Sequence, residues 1–479
     1  MIVKISATSS QKASLVEENE IVRQLYQQMT ASDFHDLSMG EIENLVDRHT
    51  REIRRQLVEM LTQDMADETI LGCPDCGHML KVTAHRRERT VNATVGPIRF
   101  ERSYGRCERC QKQVYPADVA LGLHARAKGS PRVQEICALT ALRAPAAQAQ
   151  DDVRRMCGLD IGASTLHREA KRQGERAIQL RAQAVAMAEH PDGADRLAAQ
   201  APKLPPHSTM VIEIDAWNIR ERDYWGQTKK RRDAGEEVGR WHWVYTGTVF
   251  RLDHRGTSEN GRHFVIDRGY VATRAGLDAF RKQLHAEALQ RGLRQAETVL
   301  ILGDGAVWIW NLAANQFGKA QQRVDLYHVK QHLWTLAAEL HGKNTEEAEE
   351  WVRPYLRWLE RRKNGALDVI TDLEQLLETL ADTEEKKREA LSKEIGYMQT
   401  HKERMDYKSA KALGQPCGSG AIESTCSQYQ RRFKLTGQFW SLEGDEAFLA
   451  LATLHRNERW HLLFPHDKST ETGYAGPSP

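Results

Sequence analysis

The sequence predicts a multidomain α+β protein, because of its length and the spacing of its apolar residues. With 479 residues, the chain is too long for a single hydrophobic core. Strand-like apolar runs are confined to residues 71–118 and 208–335, and helical apolar spacing occupies the segments around them. We therefore expect separate helical and strand-containing domains.

Bulk composition excludes several classes of protein. Lys and Arg total 68 against 66 Asp and Glu, so whole-chain charge does not indicate nucleic-acid binding, although residues 139–176 and 427–437 are locally basic. A transmembrane helix would need a run of about 18 apolar residues, which the chain lacks. The first residues have no signal-peptide core, and eight cysteines are too few for a disulfide scaffold. We expect a cytoplasmic protein without a membrane partner.

Residues 1–70 form a predicted helical region. Apolar residues follow helical spacing there, namely Leu15, Ile21, Leu25, Ile42, Leu45, Ile53, Leu57 and Leu61. The stretch from Ser38 to Glu41 resembles a capping box, in which each side chain accepts from the other residue's backbone N–H.

Residues 71–125 predict a zinc-ribbon β-hairpin. Two CxxC pairs supply four thiolates, which suits a closed, structural Zn²⁺ site formed by Cys73, Cys76, Cys107 and Cys110. Unmetallated, reduced CxxC pairs are the alternative. Between the pairs, residues 89–95 and 98–104 alternate around Gly96-Pro97 as two strands and a turn. Five arginines of this hairpin could contact DNA phosphates or form a solvated face: Arg86, Arg87, Arg89, Arg99 and Arg102.

Residues 130–200 are predicted to be helical and to include a helix-turn-helix for DNA binding. One helix ends at Gly158, and Ser164 begins a second. The Pro-containing stretch 201–207 is typical of a linker.

Residues 208–335 predict an RNase H-like α/β core. Three strands (210–215, 241–253 and 263–273) are followed by a helix (273–292), a strand (298–304), a short helix from Trp308 and a strand (323–329). Residues 336–410 lack strand patterns and form a predicted helical insertion, with Leu367, Ile370, Leu373, Leu377 and Leu380 at helical spacing. Residues 411–464 complete the core, and 465–479 are expected to be a disordered tail.

Three acidic residues of this core are candidate metal ligands. Asp215 and Asp304 follow buried apolar strands, and Glu423 lies near the start of a helix that Ser419 would cap. A carboxylate at the end of a buried strand is costly unless it is paired or binds metal. The first and fourth strands of an RNase H-like sheet are neighbours, so the two aspartates would share one Mg²⁺ (or Mn²⁺), and a second ion would need Glu423. Glu213 competes with Asp215, and a turn cap or salt bridge is the ordinary alternative for either aspartate.

Basic residues follow Glu423 about two turns later. Arg431, Arg432 and Lys434 would hold DNA phosphates beside the metal, although ordinary surface charges are the alternative. Trp308 and Trp310, after the second aspartate, are expected to pack in the core rather than stack on bases.

An ordered set of motifs resembles a known family. The segments CPDC, CERC, EIDAW, GDGAVWIWN, DLYHVKQHLW and GSGAIESTCSQYQRRFKLTGQFWS look like those of bacterial insertion-sequence DDE transposases of the ISKra type, related to Mutator-like transposases. The resemblance covers roughly residues 70–460. It assigns Asp215, Asp304 and Glu423 as the catalytic, metal-binding triad. One departure is that Ala216 stands where these relatives more often have Gly.

The resemblance also singles out Asp325 and His328 as an Asp-x-x-His pair. His328 would contact DNA at or near the scissile phosphate, or it would only brace the corner between strand and helix. The implied reaction is two-metal phosphoryl transfer that cuts transposon-end DNA and joins it to target DNA, without a small-molecule substrate. A homodimer or higher homo-oligomer on the bacterial nucleoid is implied. A domesticated, non-catalytic DNA-binding regulator and an RNase H-like nuclease without strand transfer are the alternatives.

Overall fold

The computed structural model describes residues 36–124, 127–222, 226–236, 239–261, 263–381 and 383–465, with residues 23, 24, 26, 27 and 30. The predicted helical positions Leu15, Ile21 and Leu25, and the tail beyond residue 465, lie outside these residues. Two compact units divide the chain. One comprises Met1–Ala141 and Pro145–Glu169, and the other Leu142–Ala144 and Ala170–Pro479. The boundary therefore falls within the predicted helical region 130–200.

The first unit contains a helix and a three-stranded sheet. Helix α1 (Met39–Glu68) begins with the predicted capping box, which is confirmed: Ser38 and Glu41 each accept from the other's backbone N–H. Strands β1 (Lys81–Ala93), β2 (Gly96–Arg106) and β3 (Gln113–Val114) pair in antiparallel fashion in that order. Helices α2 (Pro116–Ala120), α3 (Pro131–Arg143) and α4 (Ala146–Cys157) follow, and Gly158 ends α4 in the left-handed conformation.

The hairpin turn differs from the prediction by two residues. The turn is formed by residues 94 and 95, and Gly96 pairs with Ala93 as the first residue of β2. A positive φ of 120° at Gly96 lets the chain leave this tight turn, which is why glycine stands there.

Long helices precede the second sheet. Helix α5 (Ala163–Glu189) starts next to the predicted Ser164, and α6 (Pro191–Ala199) follows it. The predicted linker 201–207 has no helix or strand.

The second unit contains a mixed, five-stranded sheet. Its strands are β4 (Thr209–Arg222), β5 (Gly239–Arg251), β8 (Arg268–Thr273), β9 (Thr298–Gly303) and β10 (Gln321–Val324), in the spatial order β10-β9-β4-β5-β8. β5 is antiparallel to β4 and β8, whereas β9 is parallel to β4 and β10. The predicted adjacency of the first and fourth strands is therefore confirmed.

Helices connect and cover this sheet. Helix α7 (Thr228–Asp233) lies between β4 and β5, and a small separate sheet pairs β6 (Arg255–Thr257) with β7 (His263–Val265). Helix α8 (Leu277–Gln290) follows β8, α9 (Val307–Gln316) follows β9, and α10 (Leu326–His341) follows β10. After the insertion come α15 (Gly420–Phe433), α16 (Leu442–Arg456) and a 3₁₀ turn, Trp460–Leu462.

The insertion is helical, as its spacing predicted. It contains α11 (Glu346–Arg361), α12 (Gly365–Thr379), α13 (Glu385–His401), a 3₁₀ turn (Lys402–Arg404) and α14 (Tyr407–Ala412). Val352, Leu373 and Met398 from these helices belong to the same buried cluster as Ile212 and Ile214 of β4. The insertion therefore shares a core with one face of the sheet. Leu367, predicted on its apolar face, is instead 45% exposed.

Three strand predictions need correction. The predicted third strand is broken, because residues 263–265 pair with β6 while only 268–273 join the main sheet. The predicted last strand ends at Val324, because Asp325 caps helix α10 through the backbone N–H groups of residues 327 and 328. The first strand does not end at Asp215 but continues to Arg222, paired with β5 throughout.

Among the residues described by the structure, no helix is both long enough and apolar enough to cross a membrane.

Candidate functional site

The two candidate aspartates lie at the same edge of the five-stranded sheet. β4 pairs with β9 only as far as Glu213, opposite Leu302, so Asp215 lies just beyond the last pair. Asp304 directly follows Gly303, the last residue of β9. The backbone N–H of Ala306 donates to Asp304 Oδ1 over 2.9 Å, and that of Ala216 donates to Asp215 Oδ1 over 2.6 Å. Each carboxylate is thus held by a local turn or strand contact.

The third candidate, Glu423, lies in the first turn of α15, a helix that packs on β4 and β5. Burial raises the pKa of Asp215, and the negative charge of Asp304 raises it further. Burial also raises the pKa of Glu423, and the charges of Asp325 and Asp215 add to that effect. Asp215 therefore interacts electrostatically with both other members of the trio.

No single tight cage joins the three acids. Within the described part of the chain, the four cysteines of the CxxC pairs are the one group of three or more potential ligands whose ligand atoms all lie within 4.8 Å of one another. Asp215, Asp304 and Glu423 thus form a looser cluster in which Asp215 is the shared neighbour. Burial is the largest cause of the raised pKa values, and the charges of neighbouring carboxylates add to it; a cation bound there would stabilise the ionised acids.

His328 lies beside this cluster of acids. It is half-buried in the first turn of α10, and its backbone N–H donates to Asp325 Oδ1 over 3.3 Å. Its side chain lowers the pKa of both Asp215 and Glu423, whereas the neighbouring carboxylates raise these pKa values. The structure therefore places His328 next to the acids, as the Asp-x-x-His resemblance led us to expect.

Glu213, the competitor of Asp215, has a different position. It is 1% exposed, and its Oε2 accepts from the backbone N–H of Ile422 over 2.8 Å. Burial raises its pKa to about 8. Glu213 thus holds the N-terminus of the helix that carries Glu423 and does not face solvent.

Asp325 is a second buried acid at the same helix end. One of its oxygens accepts from the backbone N–H groups of Tyr327 and His328, at the start of α10. The other accepts from the backbone N–H of Ser419 over 2.5 Å and from the Ser419 hydroxyl. Ser419 occupies the N-cap position as predicted, but its hydroxyl donates to Asp325 instead of capping its own helix. Asp325 therefore joins the N-termini of α10 and α15.

Sequence reasoning did not assign these roles to Glu213 and Asp325. Glu213 lies on the same strand face as Asp215, and its burial depends on contacts from a segment far along the chain. The strand alternation indicated its inward direction but could not supply its partner.

The three basic residues that were predicted to bind phosphate divide into two groups. Arg431 and Lys434 are exposed on or just after α15. Arg432 is half-buried, with its guanidinium 5.2 Å from the Trp440 ring centre and 5.8 Å from that of Phe448. Burial lowers the pKa of Arg432 to about 10. Arg432 is therefore a packing residue, and the phosphate-binding prediction rests on Arg431 and Lys434.

The insertion contacts the loop that carries Asp304. The Tyr397 hydroxyl donates to the backbone oxygen of Asp304 over 3.3 Å. The Tyr397 ring stacks on His332 with centroids 4.0 Å apart, and His332 Nδ1 lies 2.8 Å from Glu394. A side chain on Gly305 would meet the Tyr397 hydroxyl at 2.7 Å. Helix α13 is therefore fitted against the second aspartate's turn.

The two tryptophans after Asp304 pack in the core, and that prediction is confirmed. Trp310 is 6% exposed, and Trp308 packs edge-on against Tyr245 with centroids 5.2 Å apart.

The four cysteines of the first unit converge as the zinc prediction requires. The distances between sulfur atoms are 3.4 Å for Cys73–Cys110, 3.5 Å for Cys76–Cys107 and 3.9 Å for Cys76–Cys110. Tetrahedral zinc with Zn–S bonds of about 2.3 Å requires sulfurs about 3.8 Å apart. Backbone N–H donors, chiefly that of Cys110, lower the pKa of Cys107 to about 6, which favours the thiolate. The donor set thus fits a closed Zn²⁺ site.

The arginines of the hairpin do not form one uniform face. Arg89 is buried and donates to Asp118 over 2.5 Å, and Arg102 Nε lies 2.8 Å from the same carboxylate. The side chains of Arg86, Arg87 and Arg99 are exposed. Two of the five arginines are therefore structural, and three remain available to a partner.

Comparison with known proteins adds a family match over the second unit. Residues 248–460 match the model of UPF0236, described as an uncharacterised protein family. A relative from Streptococcus gallolyticus, named "UPF0236 protein in vanSb 3'region", is 23% identical over 383 residues. The alignment covers 78% of this chain and 74% of the relative.

The UPF0236 match contains most of the candidate acidic site. Asp304, Asp325, His328 and Glu423 lie within residues 248–460, together with the insertion. Asp215 and the four cysteines lie before the matched segment. The matched segment therefore contains the second and third acids and the buried Asp325, whereas Asp215 and the buried Glu213 lie on β4, before it.

Proposed function

We propose that this chain is a DDE transposase that cleaves transposon-end DNA and joins it to target DNA by two-metal phosphoryl transfer. The observation that carries the proposal is the meeting of three acids from separate elements: Asp215 from β4, Asp304 from the end of β9, and Glu423 from α15. Asp215 interacts electrostatically with the other two. Such a cluster at one sheet edge is the donor set that two-metal nucleic-acid enzymes need.

The order of the strands supports an RNase H-like core. Three antiparallel strands are followed by two parallel strands added on the other side of the first, which gives the order β10-β9-β4-β5-β8. A helical insertion then separates the second acid from the third. Both features suit the resemblance to insertion-sequence transposases and the proposed fold.

In the proposed mechanism, Asp215, Asp304 and Glu423 would hold two Mg²⁺ (or Mn²⁺) ions. Bound there, the ions would activate water or a 3′-hydroxyl and stabilise the leaving oxygen. Glu213 and Asp325 fix the helix end that carries Glu423, and His328 lies beside the acids. Arg431 and Lys434 lie exposed toward the end of the same helix, where phosphates would bind.

The zinc ribbon and the helical segments of the first unit would recognise the DNA ends. Arg86, Arg87 and Arg99 are the exposed arginines among the five of the hairpin. Helices α4 and α5 flank the Gly158 break of the proposed helix-turn-helix. Since two transposon ends must be cut together, the proposal includes a homodimer or higher homo-oligomer on DNA, in the bacterial cytoplasm.

The test is DNA cleavage that depends on Asp304. Labelled duplex carrying the ends of the element that encodes the protein is incubated with the full chain and Mg²⁺. Asp304→Asn should abolish both nicking and joining, whereas Asp278→Asn, an exposed and ion-paired acid on α8, should leave both unchanged. The Asn variant keeps the side-chain shape but removes the charge that binds cations.

Each product pattern decides between the candidate functions. Joined products that require Asp304 support a transposase. Asp304-dependent cutting without joining would replace it with an RNase H-like nuclease. DNA binding by the wild type without any cutting would reject the enzyme in favour of a DNA-binding regulator.

A further inference from the structure

The two central strands extend beyond the rest of the sheet. β4 pairs with β9 only up to Glu213, and β5 pairs with β8 only from Tyr245 onward. Outside these limits, residues 217–222 of β4 and 239–244 of β5 pair with each other in an antiparallel ribbon. We call this ribbon, with helix α7 in its connection, the hairpin arm. It starts two residues after Asp215.

One face of the hairpin arm is buried. Trp217, Ile219 and Glu221 alternate along this face and are at most 4% exposed. Trp217 packs against Phe433 of α15, with centroids 6.3 Å apart. The backbone of Trp440 also bonds to Arg220 and Arg222 at the edge of the ribbon. The arm is therefore a rigid extension of the sheet and not a free loop.

The opposite face carries an aromatic row on β5. Tyr245, Trp243 and Trp241 are successive residues on this face, because side chains alternate along a strand. Tyr245 packs against Trp308 and Phe280 in the core. Trp243 is 55% exposed and Trp241 is 60% exposed. The row thus begins in the core and ends as two indoles open to solvent.

Exposed indoles at neighbouring positions suit stacking on nucleic-acid bases. Their Cα atoms are two residues apart on one strand, which corresponds to about 6.6 Å, close to two base-stacking intervals. Arg220, opposite Trp241, lies with its guanidinium 5.9 Å from the Trp241 ring centre and 4.6 Å from that of Phe439. Phe439 is half-buried, so Arg220 presents a planar cation beside the exposed indole of Trp241, an arrangement typical of surfaces that bind single-stranded nucleic acid.

The connection of the arm adds positive charge. Helix α7 has the sequence TKKRRD, and Lys229, Lys230 and Arg232 are exposed on it. Arg231 forms an ion pair with Glu236, and the other three basic residues of the helix face solvent. This concentration of charge distinguishes the arm from an apolar protein-docking face and favours a polyanion.

We propose that the hairpin arm binds single-stranded DNA, with Trp241 and Trp243 stacking on unpaired bases and Lys229, Lys230 and Arg232 contacting phosphates. The proposal rests on the proposed function, since the strand would be the flank opened at the cleavage point. Asn218, the cross-strand partner of Trp243, is three residues from Asp215, or about 10 Å along β4, and its side chain lies on the opposite face of the ribbon from that of Asp215.

The test measures DNA binding without chemistry. Fluorescein-labelled oligothymidylate of about twenty nucleotides, longer than the site of one binding domain, is titrated with the full-length protein without added divalent cation. Trp241→Ala/Trp243→Ala should weaken binding about tenfold or more, because each lost stacking contact is costly. Trp241→Phe/Trp243→Phe keeps aromatic rings and should stay within about threefold of the wild type. Trp334→Ala, at a 42% exposed tryptophan on α10, is the matched control and should bind normally.

The contribution of the basic residues on α7 is tested by the salt dependence of the affinity for oligothymidylate. Lys229→Ala/Lys230→Ala should reduce the slope of log affinity against log salt by about 1.4, because each phosphate contact to a single strand contributes about 0.7. Lys386→Ala/Lys393→Ala, at two exposed lysines of α13, is the control of equal charge. Arm variants that bind oligothymidylate like the wild type would overturn the proposal, as would a Phe variant that binds as weakly as the Ala variant.

Failure of the arm and failure of the enzyme give different results. If the arm variants bind normally while cutting still requires Asp304, only the inference about the arm is rejected. If the arm variants lose binding while the wild type never cuts DNA, the arm stands and the transposase is rejected.

Discussion

At the scale of single residues, two buried acids determine where an exposed acid lies. Glu213 accepts from the backbone of Ile422, and Asp325 accepts from the backbone and hydroxyl of Ser419. Both donors precede Glu423 in the first turn of α15 or just before it. Because the N–H groups at a helix start lack acceptors within the helix, buried carboxyl oxygens are well suited to hold this end. The position of Glu423 thus depends on residues that never reach solvent.

Asp325 should be more costly to remove than an ordinary surface acid. Asp325→Ala leaves the N–H groups of Ser419, Tyr327 and His328 without their acceptor, and we expect a loss of about 3 kcal/mol or more in the free energy of unfolding. Asp325→Asn keeps one acceptor oxygen and should lose less. Urea unfolding measures both, with Asp278→Ala as the exposed control. A loss of less than about 1 kcal/mol for Asp325→Ala would show that it does not hold the two helix ends.

A second residue-scale prediction concerns Asp445, in the first turn of α16. It is fully buried, and burial together with Glu221 raises its pKa to about 9. Arg274 Nε lies 3.8 Å from Asp445 and contacts Glu221, and His242 lies 3.6 Å from Glu221 on its other side. The backbone N–H of Glu446 donates to Asp445 Oδ1 over 2.6 Å, and the side chain of Glu446 is ion-paired with Arg181. The group therefore keeps its proton in the folded protein at neutral pH.

The sign of the pH effect follows from that raised pKa. Between the unfolded pKa of about 4 and the folded value, the folded state binds more protons, so stability falls as pH rises. Asp445→Asn cannot lose a proton. The Tm of the Asn variant minus that of the wild type should therefore increase from pH 5 to pH 9. A difference that stays constant or decreases over this range would mean that Asp445 is ionised in the folded protein.

At the scale of elements, apolar runs predicted the strands well where both faces are buried. Val211, Ile212 and Ile214 of β4, and Leu300 to Leu302 of β9, are 0% exposed, and such runs are easily recognised. The continuation of β4 past Asp215 was missed, because polar residues there are paired only with β5. The sequence predicts a strand over residues 323–329, whereas Asp325 caps helix α10 and the strand ends at Val324.

The fit between the insertion and the Asp304 turn allows a test at this scale. Gly305 has a φ of 104°, and an added Cβ would meet the Tyr397 hydroxyl, so Gly305→Ala should destabilise the protein by more than about 1 kcal/mol. The double variant Gly305→Ala/Tyr397→Phe lacks the hydroxyl that the new Cβ would meet, so it should regain part of the lost stability.

Gly396, next to Tyr397 on α13, is the matched control. Among the described residues, nothing lies within 4 Å of the point that a Cβ on Gly396 would occupy, so Gly396→Ala should stabilise the helix by about 0.5–1 kcal/mol. Thermal unfolding measures all four proteins. If Gly305→Ala is as stable as the wild type, the insertion does not press on the turn that carries Asp304.

At the scale of the whole molecule, the chain contains two units with different means of stabilisation. The first unit has a small apolar cluster between α1 and the hairpin, with a second around its cysteines. The second unit has the large core shared by sheet and insertion. Since small cores need additional cross-links, the first unit should depend on metal more than the second.

Zinc removal should therefore affect one unit selectively. We expect one Zn²⁺ per chain by elemental analysis and two thermal transitions, of which a chelator lowers only one. Cys107→Ser should act like the chelator. Cys157→Ser, at a half-buried cysteine outside the cluster, should keep the metal and both transitions. Absence of zinc, or a chelator effect on both transitions alike, would contradict this division.

The three acids of the candidate site could be selected from the sequence, whereas the contacts that support them could not. Asp215, Asp304 and Glu423 stand out because each follows or opens an element with a recognisable pattern. Their helix caps and the contact of Tyr397 with Asp304 join residues far apart in the chain, which no local pattern encodes. Arg432 was misjudged for the same reason, since the rings of Trp440 and Phe448 that cover it come from later segments.

The position of α15 near the end of the chain has a consequence for synthesis. During translation, β4 and β9 leave the ribosome long before Glu423. Until α15 is synthesised, Glu213 and Asp325 lack the backbone N–H donors of Ile422 and Ser419. Domains fold as units while the chain emerges, at about 5–20 residues per second. A nascent or prematurely terminated chain that lacks α15 therefore has two of the three acids and no closed site. In this arrangement, only a chain that extends through α15 can assemble the three carboxylates.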